Sequence, residues 1–161
     1  MKTIKITFVL TAFLLTASLS FSQSFEGRLS IKGLTRSTTI KQKTPVALFK
    51  AFKDGVYSIN FNFKTTNVAS DGMVLFDMKT TVKHNGKTIS ETSRKGWPWL
   101  PGDMFVPIEA FDAIPAWQKF AAKGLPINIP GNYEIILQFV PSEGQNVKGS
   151  ISPATMKFTI D

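Results

Sequence analysis

The chain has 161 residues, 43% of them hydrophobic and 19% charged, with 14 Phe, 19 basic and 11 acidic side chains, one His and no Cys. The absence of Cys excludes thiol nucleophiles, disulfides, Cys-ligated zinc, iron–sulfur clusters and a lipid-modified N-terminal Cys, and a single His excludes a two-His metal site within one chain. The apolar fraction is too high for a disordered chain, and the Phe content supplies enough buriable surface for a core without crosslinks.

Residues 1–22 open with Met1, Lys2, Thr3, Ile4 and Lys5, then run apolar from Ile6 to Phe21 with only Thr and Ser interrupting. Charge before an apolar run is the order of a secretory signal peptide, and Ser20-Phe21-Ser22 puts small residues where a signal peptidase reads. An apolar run of about 16 residues is short of the roughly 20 needed to span a bilayer. Cleavage before Gln23 is therefore expected, leaving residues 23–161 as a single domain with no transmembrane segment and a periplasmic or secreted location.

Along residues 23–161, Phe25, Gly27, Leu29 and Ile31 alternate with Glu26, Arg28, Ser30 and Lys32, the two-residue period of a strand with one buried face. Residues 45–53 mix helical and strand spacings of Val46, Leu48, Phe49 and Phe52 and predict neither element. Tyr57, Ile59, Phe61 and Phe63 against Ser58, Asn60 and Asn62 make the cleanest strand of the chain. Val74, Phe76, Met78, Thr80 and Val82 alternate with Asp77, Lys79, Thr81 and Lys83. They lead into Asn85-Gly86, a pair that tolerates positive φ and predicts a two-residue hairpin, with Lys87–Thr92 returning antiparallel.

Asp112–Gly124 predicts a short helical crossover: Pro115 suits a helix start, Trp117, Phe120 and Ala121 share a face, and Gly124 suits the end. Leu125, Ile127 and Ile129 alternate ahead of a Pro130-Gly131-Asn132 turn. Two further strands carry Tyr133, Ile135, Leu137 and Phe139, and then Ala154, Met156, Phe158 and Ile160. About six strands with short turns predict an all-β sandwich or barrel, because a single sheet would leave a face of Phe and Ile in water.

The run Pro130-Gly131-Asn132-Tyr133-Glu134-Ile135-Ile136-Leu137-Gln138-Phe139, followed by Ser152-Pro153-Ala154-Thr155-Met156-Lys157-Phe158-Thr159-Ile160, resembles the last two strands of bacterial secreted immunoglobulin-like or fibronectin-type modules. Those modules often open the penultimate strand with Pro-Gly-x-Tyr. The resemblance implies an immunoglobulin-like β-sandwich that serves adhesion, ligand binding or assembly, and it transfers no catalytic residue. This chain departs from the antibody-type pattern in lacking the Cys-Trp-Cys hallmark, and its segment 97–123 is not part of a minimal module. The Phe-Ser-Gln ending of the leader is similar to that of exported proteins of Bacteroidetes-type bacteria.

Few residues offer chemistry. His84, beside the expected hairpin turn, reads as a solvated turn residue, and no Gly-x-Ser-x-Gly elbow is present to pair with it. Asp103, Glu109 and Asp112 are the best candidates for a carboxylate dyad of a small hydrolase or for a calcium site. Against that, Asp112 reads more simply as the cap of the short helix and the other two as solvated. No metal site and no cofactor are expected.

Trp97-Pro98-Trp99-Leu100-Pro101-Gly102 is the most unusual local sequence. Proline between two indoles tends to splay them, so they either plug one end of the sandwich beneath Trp117 or present an aromatic platform for a sugar, a peptide or an interface. Trp97, Trp99 and Trp117 are accordingly the candidate ligand-binding residues.

Charge is concentrated in residues 23–64, with eight basic against two acidic side chains, whereas residues 65–161 balance at nine each. Such a field could draw an anionic surface, or it could serve solubility and edge protection. Export makes nucleic acid an unsuitable target. The resulting expectation is a non-enzymatic exported module of the cell envelope that binds an envelope protein or glycan through the Trp97–Trp117 region. The alternatives are an assembly module pairing through an edge strand and, below that, a carboxylate-dependent hydrolase.

Overall fold

The computed structural model describes residues 23–33, 40–41, 50–68, 72–112 and 129–160. The strands in chain order are β1 (Gln23–Lys32), β2 (Ile40–Lys41), β3 (Ser58–Thr66), β4 (Val74–His84), β5 (Lys87–Trp99), β6 (Gly102–Val106), β7 (Gly131–Pro141), β8 (Val147–Ser152) and β9 (Ala154–Ile160). They form a four-stranded sheet ordered β6-β3-β1-β8 and a five-stranded sheet ordered β2-β9-β7-β4-β5. Neighbours run antiparallel except β1 with β8 and β2 with β9, which are parallel. The chain is therefore an all-β sandwich.

The alternation in the sequence is what faces the two sheets together. On β3, Ile59, Phe61 and Phe63 are buried; on β4, Val74, Phe76, Met78, Thr80 and Val82 are buried in the same rhythm. Phe61 lies at the centre. Its ring stacks on Phe139 of the opposite sheet at 4.1 Å and on its own neighbour Phe63 at 4.9 Å, and it meets Phe76 edge-on at 5.8 Å. Phe25 adds a second perpendicular contact to Phe76 at 5.2 Å.

The chain changes sheet at Pro101, between β5 and β6, and at Pro153, between β8 and β9. Proline has no N–H with which to continue a ladder, so both sites suit a break in pairing. Asn85 and Gly86 both take positive φ, 47° and 81°, and close the β4–β5 hairpin as the dipeptide predicts. In the parallel β1–β8 pair, Gly149 lies opposite Phe25, and a Cβ there would come within 1.9 Å of the Phe25 carbonyl oxygen. The approach of these two strands depends on the missing side chain.

The structure also extends and corrects the sequence reading. β5 continues past Thr92 to Trp99, and β2, β6 and β8 are strands that alternation did not reveal, each too short to show a period. Lys50–Lys53 forms a helical turn within the stretch whose spacing was mixed. Asp112 takes φ 51°, ψ 30° and closes a 3-10 turn over Ile108–Phe111, donating its N–H to the Glu109 carbonyl. The remainder of the expected crossover, with Trp117, and the expected strand up to residue 128 lie outside the described residues.

Because Phe61 contacts both layers, Phe61→Ala is expected to lower the unfolding free energy by about 3–5 kcal/mol. Urea denaturation followed by fluorescence reads this directly, and a loss below about 1 kcal/mol would remove Phe61 from the centre of the core.

Candidate functional site

The segment from Arg94 to Gly102 builds one corner of the sandwich. β5 is the edge of the five-stranded sheet, the place where a proline within a strand is tolerated, and Pro98 sits there opposite Leu75. Between the pairs Phe76↔Trp97 and Met78↔Arg94, β5 carries one residue more than β4. The surplus is taken up by a bulge in which Gly96 adopts φ 68°, a conformation that favours glycine.

Asp77 of β4 holds this bulge. Only 5% exposed, its Oδ1 accepts hydrogen bonds from the Gly96 backbone N–H at 3.1 Å and from Ser142 Oγ at 2.6 Å, while Oδ2 lies 3.2 Å from Lys95 Nζ. Burial pushes the carboxyl pKa up, but the bonds from Ser142 and Gly96 together with Lys95 outweigh it and hold the group below the ordinary carboxylate value. Beyond Asp77, Gln145 reaches the backbone of Leu75: its Oε1 accepts from the Leu75 N–H at 2.7 Å and its Nε2 donates to the Leu75 carbonyl at 2.6 Å. A side-chain amide thus continues the ladder where β7 stops at Pro141.

On this anchored base the two indoles differ. Trp99 is half-buried and meets Phe61 and Phe139 edge-on at 5.7 and 5.2 Å, so it belongs to the core. Its indole N–H is buried with no acceptor among the described residues. Trp97 is 45% exposed, with the Arg94 guanidinium 5.6 Å from its ring. Arg94 is in turn held by Asp112, whose Oδ1 accepts from Nε at 2.9 Å. Leu100 and Met73 are 57% and 44% exposed. The pairing of Val74 with Trp99 puts these two at the same end of the β4–β5 hairpin.

The structure does not gather the other candidates into a reactive centre. The three carboxylates engage separate partners: Asp103 accepts from Asn62 Nδ2 at 2.5 Å, Glu109 lies 4.0 Å from Lys53, and Asp112 binds Arg94. Among the described residues, no three His, Cys, Asp or Glu side chains come together as a metal site would need.

His84 corrects the sequence reading. Rather than a turn residue in water, it is half-buried, with its ring 4.6 Å from that of Tyr133 and Nε2 3.1 Å from the Pro130 carbonyl oxygen. Tyr133 donates its hydroxyl to the Ile129 carbonyl at 2.7 Å, and burial holds its phenol above the ordinary value.

One feature escaped the sequence reading altogether. Phe105 of β6 is 70% exposed, the highest value among the large hydrophobic side chains described. It borders a groove of about 490 Å³ together with Phe52, Tyr57 and Ile108. Asp103 and Phe105 alternate with Met104 and Val106, but the five residues from Gly102 to Val106 are too few for that rhythm to stand out.

Compared with known protein families and with characterised proteins, the chain matches none.

Two outcomes separate core from surface at this corner. Trp99→Ala is expected to cost about 3 kcal/mol of stability and Trp97→Ala no more than about 0.5 kcal/mol, as read from paired denaturation curves. Asp77 has a lowered carboxyl pKa in the folded state, so its contribution is fully present above the unfolded-state value of about 4 and is lost as pH falls through the folded value. The stability gap between wild type and Asp77→Asn should therefore be widest above about pH 5 and narrow as pH falls below the unfolded-state value of about 4; a gap that does not change with pH would contradict an ionised Asp77.

Proposed function

We propose that this chain is a non-catalytic, exported binding module built on an immunoglobulin-like sandwich, and that the Trp97 corner is its contact with an envelope partner. The strand order supports the immunoglobulin-like reading. With β1, β3 and β6 taken as strands A, B and E, and β4, β7 and β9 as C, F and G, the neighbours in each sheet follow that architecture. Tyr133, near the start of β7 and bonded through its hydroxyl to the backbone four residues upstream, is placed like the tyrosine corner of such domains.

Export is supported by the charge-then-apolar order of residues 1–22, and β1 begins at Gln23, so cleavage there would remove no described strand. A binding role rather than a catalytic one is supported by the separate partners of Asp103, Glu109 and Asp112 and by a His84 whose neighbours are a tyrosine ring, an amide and a carbonyl.

The observation that carries the proposal is an exposed indole on a fixed base. Trp97 is flanked by Arg94, and the bulge beside it is tied down by Asp77 and Lys95. A large aromatic surface that loses little conformational entropy on binding is what interface anchors provide. Pairing through the β5 edge fits less well, since Lys87, Lys95, Pro98 and the Gly96 bulge are features that discourage strand addition.

The test is capture of envelope components on immobilised protein. Wild type and Lys79→Ala are expected to retain the same partner, and folded Trp97→Ala to lose it by about tenfold or more, the loss typical of an interface anchor. Retention of every captured component by Trp97→Ala would refute the corner as the contact.

A further inference from the structure

The outer face of the four-stranded sheet carries groups that neither the core nor edge protection accounts for. Residues on β1 and β3 that point away from the core are brought into rows by the register: Arg28 opposite Asn62, Ser30 opposite Asn60, Lys32 opposite Ser58. β6 lengthens two of these rows, setting Asp103 beside Asn62 and Phe105 beside Asn60. On the other side, β8 sets Ser152 beside Arg28. Arg28 is exposed on the stretch of β1 that is paired with both β3 and β8, so its charge guards no sheet edge; Lys32, also exposed, lies beyond the last β1–β8 pair. Within the rows Phe105 stands open to solvent, with Lys32 Nζ 6.0 Å from its ring centroid.

Three of the basic residues of 23–64, Arg28, Lys32 and Lys64, are thereby placed on one face. Glu26, opposite Lys64 across the β1–β3 pair, and Asp103 on β6 set two negative charges against Arg28, Lys32, Lys64 and, on β8, Lys148, so the face that carries Phe105 keeps a basic excess of two. The chemistry of the rows is specific. A guanidinium fork matches a carboxylate in two parallel hydrogen bonds. Asn60, Asn62 and Ser30 offer donors and acceptors of the kind that pair with hydroxyls. An exposed aromatic face takes the apolar side of a sugar ring.

Interior strands about 4.8 Å apart make a broad, shallow surface suited to an extended chain rather than a compact ligand. A membrane surface would ask for several apolar side chains to enter the headgroup region, and the rows supply one.

We infer that this face, centred on Arg28, Lys32, Asn60 and Phe105, binds a linear polysaccharide bearing carboxylates. It is a second surface, separate in composition from the Trp97 corner, and does not depend on the corner's role.

The test uses the protein expressed with its own leader and purified, with alginate, a linear polyuronate, as the probe in affinity electrophoresis at physiological ionic strength. Wild type is expected to be retarded by alginate and not by neutral dextran. Phe105→Ala and the double variant Arg28→Gln/Lys32→Gln should each weaken retardation by about tenfold, equivalent to about 1.4 kcal/mol. The double variant Lys79→Gln/Lys157→Gln, which removes the same charge from the opposite sheet, should retain it within about twofold, and so should Trp97→Ala, which reports on the corner alone.

All three side chains in the test variants of this face are replaced at exposed positions, and matching thermal midpoints confirm that folding is retained; Phe105→Ser serves if Phe105→Ala does not fold. The inference is overturned by absence of alginate binding, by equal weakening in the Lys79→Gln/Lys157→Gln control, by indifference to loss of the Phe105 ring, or by binding to phosphatidylglycerol vesicles without binding to alginate.

Discussion

The stack of Phe61 on Phe139 across the two layers is the contact on which the rest of the structure depends. The chain has no cysteine with which to cross-link its sheets, so the layers are joined by burial alone. Aromatic rings contribute large area and add a preference for stacked and perpendicular pairs. Phe63 and Phe76 extend the stack within and across the sheets, and Trp99 closes it at the β5 end. The same packing that stabilises the sandwich therefore fixes the base of the corner at which Trp97 emerges.

Buried polar groups then set details that apolar packing leaves open. Thr80 occupies an inward position among Phe and Met, and its hydroxyl donates to the Phe111 carbonyl, which ties the 3-10 turn to β4. Asp77 lies on the outward side of the same strand, yet it is covered by the bulge and by Ser142. Left without partners, either group would carry a desolvation penalty of about 1–3 kcal/mol. Their satisfied networks thus select one arrangement of the β5 bulge and of the loop after β7. Gln145 does the same for the Leu75 backbone.

Two surfaces of different chemistry result. The Trp97 corner with Leu100 and Met73 is apolar and rests on the core, whereas the outer face of the four-stranded sheet is polar, basic and broken by one exposed ring. Apolar burial provides affinity with little directional demand, while rows of amides, hydroxyls and guanidinium select for a matching pattern of acceptors. A module carrying both could hold a partner at one surface while retaining a chain-like ligand on the other.

The amino-acid sequence by itself determined the elements whose signal is local. The period-two alternation of β1, β3, β4, β7 and β9, the Asn85-Gly86 hairpin and the excess of Phe are properties of neighbouring residues, and they suffice for an all-β sandwich. Only the tertiary structure decided which indole is covered, because Trp97 and Trp99 have the same local context and differ in whether Phe61 and Phe139 arrive against them from distant strands. It also brought His84 against Tyr133, drew Asp77 beneath Ser142, and aligned Arg28, Asn60 and Phe105 from three strands on one face. Those placements follow from sheet order and register, which are set by pairing between segments far apart in the chain and leave no periodic mark within any one of them.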